Sequence, residues 1–215
     1  MQKTGPPRQQ RQRAKAITRA RILEVAKEQL ESLGYERTSI RGVAQAAGVA
    51  TGTVLLHCAD KIDLLHAALF EDLEQAWQAA RKKLGSRPLL VELTGLAQAF
   101  FAYYAARPAL SRALLRESLF AEAPWSARFA AQVADVQSVV VTLAERAKAR
   151  AELGRDVDSA LLGASFFSFY YFSLLAWLQG AHPAPERLFQ ALLSQHLSGL
   201  APHPDSTKPK KVTRK

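Results

Sequence analysis

The stretch from Thr38 to Lys61, TSIRGVAQAAGVATGTVLLHCADK, constrains the fold more than any other part of the chain. Thr38 or Ser39 supplies a hydroxyl that can accept from the unpaired N–H groups of a first helical turn. Ile40, Val43, Ala44 and Ala47 follow at the i, i+3, i+4, i+7 spacing of one buried helical face. Gly48 stands where the chain must reverse through positive φ, and Val49 and Val54 can then tuck back against that face. Ala44 is small where two steeply crossed helices come close. A second short helix, Ala50 to His57, is left presenting Ala50, Thr51, Gly52, Thr53 and Leu55 outward. The pattern is that of a helix-turn-helix, with an ordinary αα-hairpin as the alternative of the same periodicity.

These residues carry a resemblance. From Arg19 to Leu65 the chain resembles the tetracycline-repressor-like (TetR-type) transcriptional regulators, through the RILEVA opening, the LGY..TSIR junction, the A..AGV turn, the GT of the second helix, and Lys61 before an acidic-apolar helix start. The resemblance implies an all-α fold of about nine helices. A three-helix DNA-binding domain would precede a larger helical domain for ligand binding and dimerisation. It also implies a double-stranded DNA partner reached by Thr38, Ser39, Arg41, Ala50, Thr51, Gly52, Thr53, Leu55, His57 and Lys61. Of these, Arg41 and Lys61 would hold phosphates, and Thr51, Gly52 and Thr53 would approach base edges or backbone. The chain departs from the family pattern in several places. Leu55 and Leu56 stand where aromatic or His residues are usual, Thr51 where Lys is frequent, Cys58 for a usual Phe, and Ala59 for Pro or Gly. Its reading surface is therefore less basic than the family's.

Charge makes up for part of this. Residues 1–21 hold seven Lys or Arg and no acid, and residues 201–215 carry +4, which leaves −1 of the total +10 for everything between. Lys and Arg beside DNA displace condensed counterions and add affinity without reading sequence. The expected organisation is a basic flexible arm over 1–13, a helix-turn-helix domain over 14–60, a helical regulatory and dimerisation domain over 61–200, and a basic tail over 201–215. The bland reading of either end is a solvated tail.

Helix follows helix along the rest of the chain. A first helix over about 14–33 buries Ile22, Val25, Ala26, Leu30 and Leu33 and stops at Gly34. Another begins near Asp60, with Lys61 at an N-terminus able to bind phosphate. Further helices open at Ser86–Pro88, Pro108 and Pro124, and no alternating strand run occurs. Residues 159–179 carry no charge over twenty-one positions, a length that could span a bilayer. Four interspersed polar residues and flanking Asp156 and Asp158 favour instead a helix buried on both sides, by its own domain and by a partner. Along it Ala160, Gly163, Ala164 and Ser168 would let a partner helix approach, and Leu188 and Leu192 of the last helix would complete a homodimer interface. No membrane partner is expected.

The middle helices hold many rings: Phe100, Tyr103, Tyr104, Phe120, Trp125, Phe129, Phe166, Phe169 and Tyr170. Such rings most often form a core. The family resemblance implies a pocket for a small apolar or aromatic effector instead, with Arg112 or Arg116 as an acid partner.

Catalytic readings find no footing. The five histidines show no ligand spacing with one another or with Cys58, and no nucleophile-elbow, phosphate-loop or dinucleotide motif occurs. No enzyme activity, metal or cofactor is expected, and a single cysteine suits a reducing, cytoplasmic compartment. The functional expectation is a ligand-responsive repressor that binds a palindromic operator as a dimer. Its rivals are a dimeric small-molecule or protein-interaction module with a weakened DNA-binding head, and a sequence-indifferent nucleic-acid binder run by the basic ends.

Overall fold

The chain adopts nine helices among the described residues, 8–202, of its computed structural model. They are α1 (Arg8–Leu33), α2 (Ile40–Ala46), α3 (Thr51–Leu55), α4 (Lys61–Arg81), α5 (Leu89–Ala105), α6 (Pro108–Ser118), α7 (Trp125–Ala149), α8 (Ser159–Leu178) and α9 (Pro185–Gly199). Contacts group the chain into two units. Among the described residues the first comprises 8–76 with 103–128, and the second 77–102 with 129–202. The opening turns of α4 and all of α6 therefore fold with the helix-turn-helix.

In the first unit, α1 buries Ile22, Ala26 and Leu30, one turn apart. Each contributes about 1.5–3 kcal/mol if its side chain is large. Gly34, at φ +80, ends the helix and donates its N–H to the Leu30 carbonyl. The helix starts at Arg8, so residues 8–13 of the expected flexible arm are helical; residues 1–7 and the tail beyond 202 lie outside the described residues. Arg19 pairs with Glu71 and Lys27 with Asp72, which fastens α1 to α4. Six consecutive residues of α4, Leu64 to Leu69, are buried. The α6 residues Leu110, Ala113, Leu114 and Leu115 are buried too, and the Tyr103 hydroxyl donates to the Leu69 carbonyl at 3.1 Å.

The second unit is built on stacked rings and branched aliphatics. Trp77 is fully buried, stacks on Phe100 at 5.8 Å, and donates its indole N–H to Asp135 Oδ2 at 2.6 Å. Phe100 and Phe101 meet Tyr170 at 5.5 and 5.3 Å, and Phe166 meets Phe189 at 5.3 Å. Phe129 meets Phe167, and Phe169 meets His196. These rings pack against one another, and Phe100, Phe166 and Tyr170 are buried. Val136, Val140, Leu143 and Ala147 give α7 its buried face.

The apolar helix α8 satisfies length and composition for a membrane span. Its burial is one-sided, however: Leu162, Phe166, Tyr170, Ser173 and Leu174 face inward, and α8 and α9 pack together. Asp158 caps it by accepting from Ala160 and Leu161 N–H, and Gly180, at φ +78, terminates it. Gly163 corrects the expected dimer stripe. It is buried against Gln137 of α7, whose carbonyl lies 3.5 Å from where a Cβ would stand, so its smallness serves approach within the chain. The rest of the stripe is open: Ala160 and Ser168 are exposed, and Ala164, Leu188 and Leu192 are half-buried.

Candidate nucleic-acid interface

The α2–turn–α3 unit is fixed by backbone capping. Ser39 is the N-cap of α2 and accepts the Gly42 N–H at 3.0 Å. Thr38 plays a different part from the one expected. Its side chain is 2% exposed and donates to the Gly34 carbonyl at 2.9 Å, which locks the chain after α1 and keeps Thr38 from any DNA surface. At the turn, Gly48 has φ +64, Gly48 N–H donates to Gln45 and Val49 N–H donates to Ala44. This pair of reversed bonds is a Schellman closure, which satisfies carbonyls that α2 would otherwise leave open. Val43, Ala44, Ala47, Val54 and Cys58 are buried together beneath it.

What remains outside is the reading surface. Ala50, Thr51, Gly52, Leu55 and Leu56 are exposed, while Thr53 and His57 are half-buried. Neither α2 nor α3 contains an acidic residue. Gly52 has ordinary φ, and nothing lies within 4 Å of the place a Cβ would take, so neither packing nor backbone conformation requires glycine there. Leu56 is 79% exposed; periodicity does not single it out, because α3 ends one residue earlier and its C-cap turns outward. Arg41 is exposed at the first turn of α2, and Arg37 is exposed just before it.

Electrostatics extend this surface onto α1. The His57 imidazole is held below its usual range by burial, then by the Lys15 and Arg19 charges, which places the basic stretch of α1 beside the end of the reading helix. Lys61 is engaged within the unit. Its Nζ donates to the Glu36 carbonyl at 3.0 Å and lies 4.3 Å from the Tyr35 ring centroid. The N-terminus of α4 is also partly committed: Asp60 Oδ1 accepts the Asp63 N–H, and Asp63 Oδ2 accepts the Ala59 N–H. A phosphate there would meet two carboxylates beside one ammonium. Cys58 is buried, and burial, reinforced by Asp63, pushes its thiol up to about 11.

Of the aromatic set, Phe120 and Trp125 line a cavity of about 440 Å³ at the start of α4 and the end of α6. Tyr104 is buried beneath α6, and Phe120 stands 91% exposed. Of the expected pocket residues, Tyr103, Tyr104, Phe120 and Trp125 fall in the first unit and Phe100, Phe129, Phe166, Phe169 and Tyr170 in the second. Among the described residues no group of three or more His, Cys, Asp or Glu could hold a metal ion.

A helical chain with a capped, acid-free, two-helix reading head defines the class of helix-turn-helix proteins. Residues 22–68 match the bacterial regulatory proteins of the tetR family. Over 161 residues the chain is 33% identical to the HTH-type transcriptional repressor KstR of Rhodococcus jostii (strain RHA1), spanning 74% of this chain and 72% of that protein. The fold is similar to that of a TetR transcription regulator from Haloarcula marismortui, with TM-score 0.70, 19% identity, and coverage of 86% and 99% of the two chains. It is also similar to the fatty acid degradation regulator FadR of Bacillus halodurans, with TM-score 0.63, 19% identity, and coverage of 84% and 98%. The chain belongs to the TetR family of transcriptional regulators, which are DNA-binding proteins and not enzymes.

Proposed function

We propose that the chain is a cytoplasmic repressor that binds a palindromic operator as a homodimer and is released by a small effector. The feature that carries the DNA-binding half is α3: an exposed, acid-free helix with an unconstrained glycine as its second residue, held by a buried turn. Thr51, Thr53 and the Gly52 backbone approach base edges; Leu55 and Leu56 offer apolar contact suited to thymine methyl groups. Arg41, Ser39 and His57 face the sugar-phosphate backbone, and the basic stretch of α1 adds sequence-independent affinity. Lys61 acts on phosphate only after leaving the Glu36 carbonyl.

The homodimer is supported by an uncovered face of α8. Leu161 is 65% and Phe172 57% exposed, and with Ser165 and Ser168 they fall at i, i+4, i+7 and i+11, one stripe along the helix. A second copy covers this stripe with its own, as two-fold symmetry requires. The similarity to KstR, a repressor, supports repression over activation.

Selection of bound fragments from random DNA tests this reading. An enriched palindrome is expected. Salt-sensitive binding without sequence would favour the basic ends as the whole of the activity, and absence of binding would favour an interaction module. The apolar tip of α3 and the engaged Lys61 make that last alternative specific.

A further inference from the structure

The cavity between the first turns of α4, the end of α6 and the start of α7 lies within the reading unit itself, and nothing in the DNA-binding argument uses it. Its volume, about 440 Å³, is within the range of small-molecule sites. Four carboxylates line it, Asp60, Asp63, Glu117 and Glu122, against one guanidinium, Arg116. That guanidinium is already held by Glu117 at 2.8 Å and by Glu36 at 3.1 Å. The lining is therefore electronegative.

Its walls are aromatic. Trp125 has His66 stacked at 5.2 Å and the Arg128 guanidinium 4.7 Å from its centroid, and its indole N–H donates to Asp63 Oδ1 at 2.7 Å. Trp125 is thus engaged by its neighbours, while Phe120, 91% exposed, is the ring free to close over a ligand. His66 supplies a second observation. It lines the cavity, is 4% exposed, and its Nε2 bonds Ser118 Oγ at 3.0 Å, yet its buried Nδ1 completes no hydrogen bond. Burial holds this ring below its usual range, so at neutral pH it is uncharged; Asp63, Glu117 and the Ile62 carbonyl pull the other way more weakly. In the tautomer that donates from Nε2 to Ser118, Nδ1 is left as an acceptor; in the other tautomer Nε2 accepts from Ser118 and Nδ1 is a donor. In the first tautomer a ligand N–H would complete the bond that the buried Nδ1 lacks.

We propose that this cavity binds a small aromatic ammonium compound: the ring under Phe120, and the ammonium among Asp63, Glu122 and His66. The effector role given to such a ligand rests on the repressor reading above. Asp63 caps α4 through the Ala59 N–H and holds Trp125 at the start of α7, so an ammonium drawing on its carboxylate acts on the joint between the reading helix and α4.

Calorimetric titration of the full chain with phenethylammonium, the phenylpropionate anion and neutral 2-phenylethanol tests the site. The cation is expected to bind at least about tenfold more tightly than either analogue, as the carboxylate lining requires. In a ¹H–¹⁵N spectrum the Trp125 indole signal should shift, while those of Trp77 and Trp177 stay in place. Phe120→Ala and Glu122→Gln alter exposed residues, so they should leave the melting temperature intact and weaken the cation by about tenfold and about threefold, respectively. Equal binding of the anion, shifts confined to Trp77 or Trp177, unchanged affinity in both variants, or no binding at millimolar concentration would overturn the site. The DNA arm is separate: saturating cation should lower the affinity for the selected duplex at least about tenfold, an amount typical of coupled sites. Binding without that change overturns the effector role alone, and a failed DNA selection leaves the binding result to decide the site.

Discussion

Gly52 sits inside a five-residue helix with open space around it and no positive φ, so the folded chain gains nothing from its lack of a side chain. Glycine inside a helix is worse than alanine by about 0.5–1 kcal/mol, and Gly52→Ala should stabilise the protein by roughly that amount in a urea titration. If the Gly52 backbone abuts DNA, the added methyl should lower operator affinity at least about tenfold in fluorescence anisotropy, in line with other losses of close groove contact. Higher stability with unchanged affinity would remove Gly52 from the interface. Cys58 gives the opposite kind of residue, one whose chemistry is suppressed. At 1% exposure and with its thiol raised to about 11, it is neutral at physiological pH and packs as a small apolar group. Native-state alkylation by iodoacetamide should run at the rate of local opening and reach the free-thiol rate only in denaturant. The linkage sign follows from the raised value. Its contribution to stability is whole below the unfolded thiol range, near pH 8.5, and is lost as pH rises from there through about 11. Cys58→Ala should remove that alkaline dependence.

At the scale of elements, the connection before α5 is clamped by a carboxylate that is 1% exposed. Glu92 Oε1 accepts from the backbone N–H groups of Gly85 and Arg87 at 3.0 and 3.1 Å, and Oε2 accepts from the Arg87 guanidinium at 2.8 Å. The Arg87 hydrogen bond, with those backbone N–H groups, outweighs burial and holds the carboxyl below its usual range. Glu92→Gln should destabilise the fold by about 1.5–3 kcal/mol, the size of a hydrogen-bonded charge. Because the folded value is depressed, this difference is present above the unfolded carboxylate range, near pH 4.3, and shrinks as pH falls through the folded value. Chemical denaturation of both forms at pH 7 and pH 3 checks it. Such a clamp is not legible in the sequence, since Glu92 reads only as an acid in a first turn until the loop folds back over it. The helices themselves are legible, because period and glycine stops are local: Gly34 and Gly48 take the positive φ expected of them. Choices that depend on packing are not. Thr38 and Ser39 offer the same hydroxyl, and only the burial of Thr38 decides that Ser39 is the cap. Gly163 announces a close approach without saying whose helix approaches, and α7 of the same chain fills it. A succession of rings along a chain does not reveal which of them meet, and here Phe100 meets Tyr170 and Phe166 meets Phe189.

At the scale of the whole molecule, a reading helix of five residues makes little contact alone, and in the proposed homodimer the affinity comes from pairing. Two heads joined by one interface bind two half-sites with an effective concentration that raises affinity by about 10²–10⁴ over a single head. The stripe of Leu161, Ser165, Ser168 and Phe172 is where that joint can be broken without touching the core, since Leu161 and Phe172 are exposed in the single chain. Phe172→Asp places a carboxylate on each side of a two-fold axis, and burying an unpaired charge there is strongly unfavourable. The variant should sediment as a monomer with an unchanged far-ultraviolet helix signal. Its affinity for a palindrome should fall by about 10²-fold or more, the lost effective concentration, and the slope of log affinity against log salt should halve because half as many phosphates are neutralised. Affinity for an isolated half-site should not change. A Phe172→Asp protein that stays dimeric and binds the palindrome as before would place the joint on another surface.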